Sequence, residues 1–173
     1  MEIIIYVAVS ANGQILLTSP EISDSYQTPV EVLQDCIGLA HKTGNIVIGL
    51  NTYNLFFNNP GAKDALTGIE IAVLSADKQK EIDGVTFLDN IDAVIEFYKT
   101  KGHSKIFVAG GAYTYHSFIN DGRVDELFIN YIPLITGNGA PLVTDTKISK
   151  PLTLAQSRLI SEDVIQLHYK ANR

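Results

Sequence analysis

The sequence predicts an α/β domain in which helices flank a mostly parallel sheet that ends in an antiparallel edge. Short apolar runs alternate with helix-like segments over most of the chain, which is typical of sheets built from β–α–β units. The first run, Glu2–Ser10, is rich in Ile and Val without strict alternation and indicates a strand buried on both faces. The last two runs, 157–159 and 164–169, follow each other without a helix between them and predict an antiparallel hairpin.

The length and composition indicate one domain, residues 1–173, with no linker or internal repeat. Hydrophobic residues make up 46% of the chain and charged residues 18%, which is enough apolar material for a core. The net charge of −6, with 13 scattered Lys and Arg residues, argues against a nucleic-acid partner because phosphate backbones are bound by clustered cations. The single cysteine, Cys36, excludes an intramolecular disulfide, and no Cys or His spacing suggests a metal site.

The amino-terminal segment, MEIIIYVAV, gives an expectation for where the protein works. It lacks the positively charged region of a signal peptide and is too short to span a membrane. We therefore expect a cytoplasmic protein that has no membrane partner.

The first helix is predicted to begin within residues 28–31, a Thr-Pro-Val-Glu sequence. This sequence combines a capping Thr, a Pro suited to the first helical position and the Glu of a capping box. Gly44 is predicted to end the helix. The apolar residues expected on its buried face are Val30, Leu33, Ile37 and Ala40.

The same patterns predict the other elements between the first helix and the hairpin. The predicted strands are 45–50, 69–74, 85–88, 106–109 and 124–133. The predicted helices are 51–57, 91–98 and 112–119, and residues 58–62 are predicted to form a turn.

Two glycines, Gly110 and Gly111, stand between a predicted strand and a predicted helix. At such a junction a phosphate can rest on backbone N–H groups. Ala112 keeps the backbone open, and Thr114 can add a hydroxyl group. A tight turn without a ligand explains the glycines as well, since the pattern is neither GxGxxG nor GxxxxGK[ST].

Two further strand ends carry residues that suit a phosphate. Gly49 is followed by Thr52, although Asn51 as a helix cap is a sufficient alternative. Ser75 is followed by Lys78, which can hold a phosphate monoester such as the 2′-phosphate of NADP, or Ser75 can simply cap a solvated helix. Because ligands of open α/β sheets bind beyond the carboxyl ends of the strands, the three ends together suggest a dinucleotide laid across this edge.

The stretch 106–142, IFVAGGAYTYHSFINDGRVDELFINYIPLITGNGAPL, carries a family resemblance. Its strand, Gly-Gly pair, helix, Val-Asp-Glu-Leu strand, Pro and Gly-x-Gly turn resemble the carboxyl-terminal signature of the dihydrofolate reductase-like superfamily. The branch it is closest to contains the riboflavin-biosynthesis pyrimidine reductase domain. VAVSANGQI resembles the family's Ser-x-Asp-Gly opening and IVIGLNTY its Gly-Arg-x-Thr segment, so the resemblance covers nearly the whole chain.

The resemblance implies a dihydrofolate reductase-like, three-layer α/β/α domain that is often a homodimer, with a strained cis peptide bond at the Gly-Gly pair. It implies an NADPH-dependent reductase of a small heterocyclic or ribosyl-aminopyrimidine substrate, such as 5-amino-6-(5-phosphoribosylamino)uracil. No deaminase motif is present, so we expect a stand-alone reductase domain. The residues implied in NADPH binding are Ala8, Gly13, Gly49, Thr52, Ser75, Lys78, Gly110, Gly111, Ala112 and Thr114.

The substrate is expected between the stretch from Asn12 to Leu17, the first helix and Tyr115. Two charged positions of the family are uncharged here, because Asn12 replaces the Asp of the opening motif and Leu50 replaces the Arg of the Gly-Arg-x-Thr segment. These replacements keep open a binding module that has lost its chemistry, or a domain that only dimerises. Dihydrofolate reductase activity is the alternative within the same class.

Two residues are candidates for catalysis. Glu31 follows Pro29 as the acid of a dihydrofolate reductase does, and a carboxyl group there can bind a pterin ring and relay a proton. The capping box is a sufficient alternative role for Glu31, and Asp35, one turn later, is a weaker candidate. Tyr115 stands where dihydrofolate reductases keep a Tyr beside the nicotinamide, and a core aromatic is the alternative.

Overall fold

The structure, a computed structural model, describes residues 1–16, 28–57, 60–76, 84–144 and 148–172. The strands are β1 (Glu2–Ser10), β2 (Gln14–Ile15), β3 (Asn45–Gly49), β4 (Glu70–Leu74), β5 (Val85–Leu88), β6 (Lys105–Val108), β7 (Glu126–Ile132), β8 (Ala140–Pro141), β9 (Leu152–Leu159) and β10 (Ile165–Ala171). The helices are α1 (Val30–Thr43), α2 (Leu50–Phe57), α3 (Pro60–Ala65), α4 (Ile91–Thr100) and α5 (Ala112–Asp121).

One mixed sheet organises the described residues. Eight of its strands follow the order β5-β4-β3-β6-β1-β7-β10-β9, and the short β2 and β8 pair with each other beside β1. All neighbours from β5 to β7 are parallel, whereas β10 is antiparallel to both β7 and β9. The predicted mostly parallel sheet with an antiparallel carboxyl-terminal edge is therefore confirmed.

Helices cover both faces of the sheet, as a three-layer fold requires. On one face, Val32 and Ala40 of α1 pack into a core with the even-numbered side chains of β1. On the other face, Tyr98 of α4 and Phe118 of α5 pack against the odd-numbered side chains of the same strand. Because a strand points successive side chains to opposite faces, the unbroken apolar run of β1 supplies both cores.

Helix α1 differs from its prediction at its start and on its buried face. No side-chain cap bond is present, since Pro29 directly precedes the helix in an extended conformation, so the capping box is wrong. Ala40 is fully buried as predicted, but Val30 and Leu33 are 57% and 42% exposed, and the helix buries Val32 in their place. Apolar residues lie on two sides of this helix, so its periodicity alone does not decide which side meets the sheet.

Three local expectations are also corrected. Part of the predicted turn is helical, because α3 spans Pro60–Ala65. Strand β8 was not predicted, and it pairs with β2. The peptide bond between Gly110 and Gly111 is trans, and no peptide bond of the described residues is cis. Within the same ranges, no helix has the length and apolarity needed to cross a membrane.

Candidate cofactor and substrate site

The carboxyl ends of β3 and β6 meet at their glycines. The backbone N–H of Gly49 donates a hydrogen bond to the Gly110 carbonyl oxygen over 3.1 Å, which extends the parallel pairing of the two strands. Ile5 of β1 pairs with Val108, so Ala8, three residues further along β1, lies toward the same strand ends. The structure thus brings together three of the sequence-predicted cofactor positions.

Two threonines fill the space that side chains at these glycines would need. A Cβ atom on Gly49 would lie 2.6 Å from Oγ1 of Thr114, and one on Gly110 would lie 2.7 Å from Cγ2 of Thr52. Gly111 adopts a φ of 75°, a backbone conformation that favours glycine. The glycines therefore allow a close contact between β3, β6 and the helices that follow them.

Two helices begin at this contact. Helix α2 begins at Leu50, directly after Gly49, and α5 begins at Ala112, directly after Gly111. Gly111 provides no side-chain cap, and residue Tyr115 makes the first backbone bond of the helix, to the Gly111 carbonyl. The N–H groups of residues 112–114 thus have no carbonyl partner within α5. A helix amino terminus with uncapped N–H groups, such as that of α5, suits a bound anion.

The hydroxyl group of Thr114 supports a ligand at this place. The side chain is fully buried, and its Oγ1 atom has no hydrogen-bond partner among the described residues. Leaving a buried polar group unpaired costs about 1–3 kcal/mol, so a native protein seldom keeps one without a reason. A phosphate oxygen at the α5 amino terminus would accept this hydrogen bond, and the residues present therefore fit the pyrophosphate of a dinucleotide.

A cleft of about 310 Å³ lies between the start of α4 and α5, next to the carboxyl ends of β4 and β5. It runs from Leu74, the last residue of β4, past the start of α4 to Tyr113 and Ser117 of α5. Ser75, 7% exposed, follows Leu74 directly, and its N–H bonds the Leu88 carbonyl over 2.9 Å. The position of the cleft beside α5 suits the nucleoside end of a dinucleotide whose phosphates rest at Gly111.

The cleft carries more negative than positive charge in the part that the structure describes. Its lining includes Asp89, Asp92 and Asp121, and Arg123 is the only cation among its lining residues. Arg123 bonds Asp92 over 2.8 Å and also bonds Asp121 through two nitrogens. These carboxylates raise the pKa of the Arg123 guanidinium. Lys78, the predicted phosphate ligand, lies outside the described residues.

A second polar cluster lies between α1 and the antiparallel strands. Asp35 of α1 accepts hydrogen bonds from Arg158 of β9 over 2.6 Å and from Gln166 of β10 over 2.8 Å. Gln166 also donates to the side chain of Asn130 in β7, over 2.9 Å. We call these four residues the Asp35 cluster. Asn130 pairs in register with both Ala8 and Gln166, so the cluster lies at the level of the cofactor positions.

The structure separates Glu31 from this cluster. Glu31 is exposed on α1, and it makes no capping bond because Pro29 starts the helix in an extended conformation. Asp35, one turn later, is the carboxylate of α1 that faces the sheet, with a side chain only 20% exposed. The structure therefore places Glu31 at the surface and Asp35 against the sheet, and the catalytic role of Glu31 stays a prediction.

Tyr115 lies in the core. Its side chain is fully buried, and its hydroxyl group donates to the Tyr6 carbonyl over 2.7 Å. Burial raises the pKa of the Tyr115 phenol well above its ordinary value, so it stays neutral. These observations favour the core role over the catalytic role that the sequence left equally open.

Asn12, a predicted substrate residue, connects two loops. It accepts from the Ser10 hydroxyl over 2.8 Å and donates to the Thr136 carbonyl over 2.9 Å. Gly13, next to it, turns the chain with a φ of 82° and has open space beside it. Leu17, the other predicted substrate residue, lies outside the described residues. The neutral amide at position 12 therefore has a structural role that needs no charge.

The fold is a dihydrofolate reductase-like α/β domain, with the uncapped amino terminus of α5 and the unpaired Thr114 hydroxyl group at the carboxyl ends of its central strands. Residues 63–166, more than half of the chain, match the family model of the RibD C-terminal domain. The chain belongs to the RibD C-terminal domain family.

One curated relative matches part of the chain. A 96-residue segment is 34% identical to the uncharacterized protein YyaP of Bacillus subtilis (strain 168) and covers 54% of this chain and 51% of that protein. The chain therefore matches about half the length of this curated relative.

Two solved structures share the fold. One is a protein from Shewanella sp. PV-4 whose name assigns it provisionally to riboflavin biosynthesis. It aligns over 100% of both chains with a TM-score of 0.82 and 22% identity. The other is Acinetobacter baumannii RibD, with a TM-score of 0.74 and 14% identity over 99% of this chain and 58% of that one. At these identities the likeness establishes the fold alone.

Proposed function

We propose that the protein is an NADPH-dependent reductase of a small heterocyclic or ribosyl-aminopyrimidine substrate, of the 5-amino-6-(5-phosphoribosylamino)uracil type. The observation that carries the proposal is the unpaired Thr114 hydroxyl group between two helix amino termini and two glycine strand ends. Membership of the RibD C-terminal domain family supports the same reaction class.

The chain's own contribution is binding and orientation. The N–H groups that begin α5 and the Thr114 hydroxyl group hold the pyrophosphate, and the cleft beside Tyr113 takes the nucleoside. Bound NADPH supplies the hydride, which is the chemistry that proteins of this kind leave to the cofactor. The Asp35 cluster, at the level of Ala8 on the α1 face, takes the substrate ring.

Binding and turnover are tested separately. Millimolar NADPH should raise the melting temperature of the protein, because a ligand that binds only the folded state stabilises it by mass action. Loss of the near-ultraviolet absorbance of the reduced nicotinamide, with the aminopyrimidine substrate present, then separates an enzyme from a binding module. An unchanged melting temperature would refute the cofactor site, and binding without turnover would favour the lapsed module.

Repeating the melting-temperature measurement with NADH in place of NADPH tests how the protein recognises the 2′-phosphate of the cofactor. The described lining of the cleft holds three Asp residues and only one cation, Arg123, which is already paired. We propose that Lys78, which follows Ser75 in the sequence, supplies a preference for NADPH over NADH, and Lys78→Ala should reduce that preference toward NADH. Equal preference in the wild type and this variant would remove Lys78 from the site.

We also propose that the chain forms a homodimer through the β9–β10 hairpin. Strand β9 forms the edge of the sheet, and all eight of its residues are exposed. Two of its leucines, Leu154 and Leu159, are 52% and 69% exposed. Leu152, Leu154 and Leu159 pair with odd-numbered residues of β10, so they share one face with Ile165, which we call the leucine face. Exposed apolar edge strands pair readily with other strands.

A second copy of the chain is the partner that suits this face. The net charge of −6 makes two copies repel each other, so a contact between copies forms most readily through a surface without acidic residues. Arg158 is the only charged residue of β9, and it points to the opposite face, toward Asp35. An antiparallel strand can meet its own copy about a two-fold axis, which gives a closed dimer.

A further inference from the structure

The carboxylate of Asp35 is already occupied by the chain itself. Its Oδ1 atom accepts from Nη2 of Arg158 over 2.6 Å, and its Oδ2 atom accepts from Nε2 of Gln166 over 2.8 Å. A carboxylate that binds the 2-aminopyrimidine edge of a pterin needs both oxygens for the two parallel N–H donors of that edge. Asp35 therefore does not offer the paired acceptor edge that such a ring requires.

The partners of Asp35 are held in place by further bonds. The Oε1 atom of Gln166 accepts from Nε of Arg158 over 2.9 Å, and its Nε2 atom also donates to Oδ1 of Asn130 over 2.9 Å. Asn130 donates in turn to the Val7 carbonyl over 3.1 Å. Gln166 and Asn130 are 2% and 0% exposed. A network that is satisfied at each side chain is costly to rearrange, so a ligand does not simply displace Arg158.

The outer side of Arg158 has a different chemistry from the carboxylate that it covers. A guanidinium has five N–H donors and no acceptor. Within the described part of the chain, its Nε donates to Gln166 and one N–H of its Nη2 donates to Asp35, and the side chain is 43% exposed. The surface of the cluster therefore offers donors where a bare Asp35 would offer acceptors.

We propose that Arg158 is a specificity-determining residue of this site. By engaging Asp35 it excludes rings that bind through a paired N–H edge, such as the 2-aminopteridine of dihydrofolate, and it selects rings that present carbonyl oxygens or an anionic group. The inference rests on the proposed reductase function and narrows its substrate to the carbonyl-rich, uracil-type class.

The experiment compares binding of one probe, 2,4-diaminopyrimidine, to three proteins by calorimetry, with and without NADPH. Arg158→Met keeps the apolar stem but uncovers Asp35, so it should bind the probe at least tenfold more tightly than the wild type. The double variant Asp35→Asn with Arg158→Met should lose that gain. A gain in affinity that depends on Asp35 is a result that a purely structural Arg158 would not produce.

Equal affinity in the wild type and Arg158→Met, including no binding by either, would overturn the proposal. A gain that survives Asp35→Asn would overturn it too. Circular dichroism and an unchanged NADPH affinity establish that the variants are folded, and Arg158→Gln replaces Arg158→Met should the latter not fold. A wild type that fails to bind NADPH would instead refute the proposed function, so the two failures are distinct.

Discussion

Gly49 and Thr114 lie so close that a Cβ atom on Gly49 would be 2.6 Å from Oγ1 of Thr114. Gly49→Ala should therefore destabilise the fold by about 1–3 kcal/mol, because overpacking displaces neighbours in a dense core. Adding Thr114→Ala removes Oγ1, and the double variant should regain part of that loss. Urea denaturation of the two single variants and the double variant measures the coupling. A double variant no more stable than Gly49→Ala would contradict this contact.

Thr114→Val separates stability from cofactor binding. Valine keeps the shape of the side chain but removes a buried hydroxyl group that has no partner among the described residues. The free energy of unfolding should stay the same or rise by about 1 kcal/mol, because the variant no longer carries the desolvation cost of an unpaired buried hydroxyl group. NADPH affinity should fall about tenfold, since a hydrogen bond to a charged phosphate is lost.

Thr114→Ser is the matched control for this experiment, because it retains the hydroxyl group. Denaturation curves and NADPH titrations of both variants give the two quantities. Val and Ser variants with the same NADPH affinity would remove the hydroxyl group from the cofactor site.

Gly111→Val should abolish NADPH binding. The valine side chain would occupy the cradle at the start of α5, and the φ of 75° would strain its backbone. Gly102→Val is the matched control, because Gly102 has a φ of 84° with open space around it and lies at the far end of α4. Both variants should lose stability, but only Gly111→Val should lose the cofactor. NADPH binding by folded Gly111→Val would show that the site lies elsewhere.

The order of the elements can be predicted from the sequence because its signals are local. Apolar runs and the glycines at positions 44 and 110–111 mark where strands and helices begin and end. The three strand ends of the candidate site follow from the same signals, because parallel strands bring their carboxyl ends to one edge.

The Asp35 cluster is different, since Asp35 and Arg158 are 123 residues apart. Their contact depends on the register of β7, β10 and β9, which no local pattern gives. A weaker signal does exist for Asn130, which interrupts the apolar run of β7, since a buried amide in a strand needs a partner. The sequence marks Asn130 as unusual but does not identify what it binds.

Acid should weaken the contact between β4 and the turn after α4. Burial opposes the charge on Glu70, but hydrogen bonds from His103 over 2.9 Å and Lys101 over 3.2 Å outweigh it and hold the Glu70 pKa below its ordinary value of 4.5. A carboxyl group whose pKa is lower in the folded state stabilises the fold above its unfolded pKa. That stabilisation is lost as the pH falls below 4.5 and through the folded-state value.

Glu70→Gln should therefore flatten the acid limb of the stability profile. Urea midpoints measured from neutral pH downward give that profile for the wild type and the variant. Glu162→Gln, at the exposed turn of the β9–β10 hairpin, is the control and should leave the profile unchanged. An identical acid limb in the wild type and Glu70→Gln would contradict the role of this ion pair.

Leu154→Asp should break the proposed homodimer. Leu154 is 52% exposed and lies on the leucine face of β9, so a second copy would bury the new carboxylate without a partner. The loss of a buried leucine together with an unpaired charge should weaken dimerisation about 100-fold or more. Gln156→Glu is the control, because Gln156 pairs with His168 on the opposite face of the hairpin. Sedimentation velocity at several concentrations reads the outcome: a monomeric wild type, or a dimer that Leu154→Asp leaves intact, would mean that the leucine face does not join two copies.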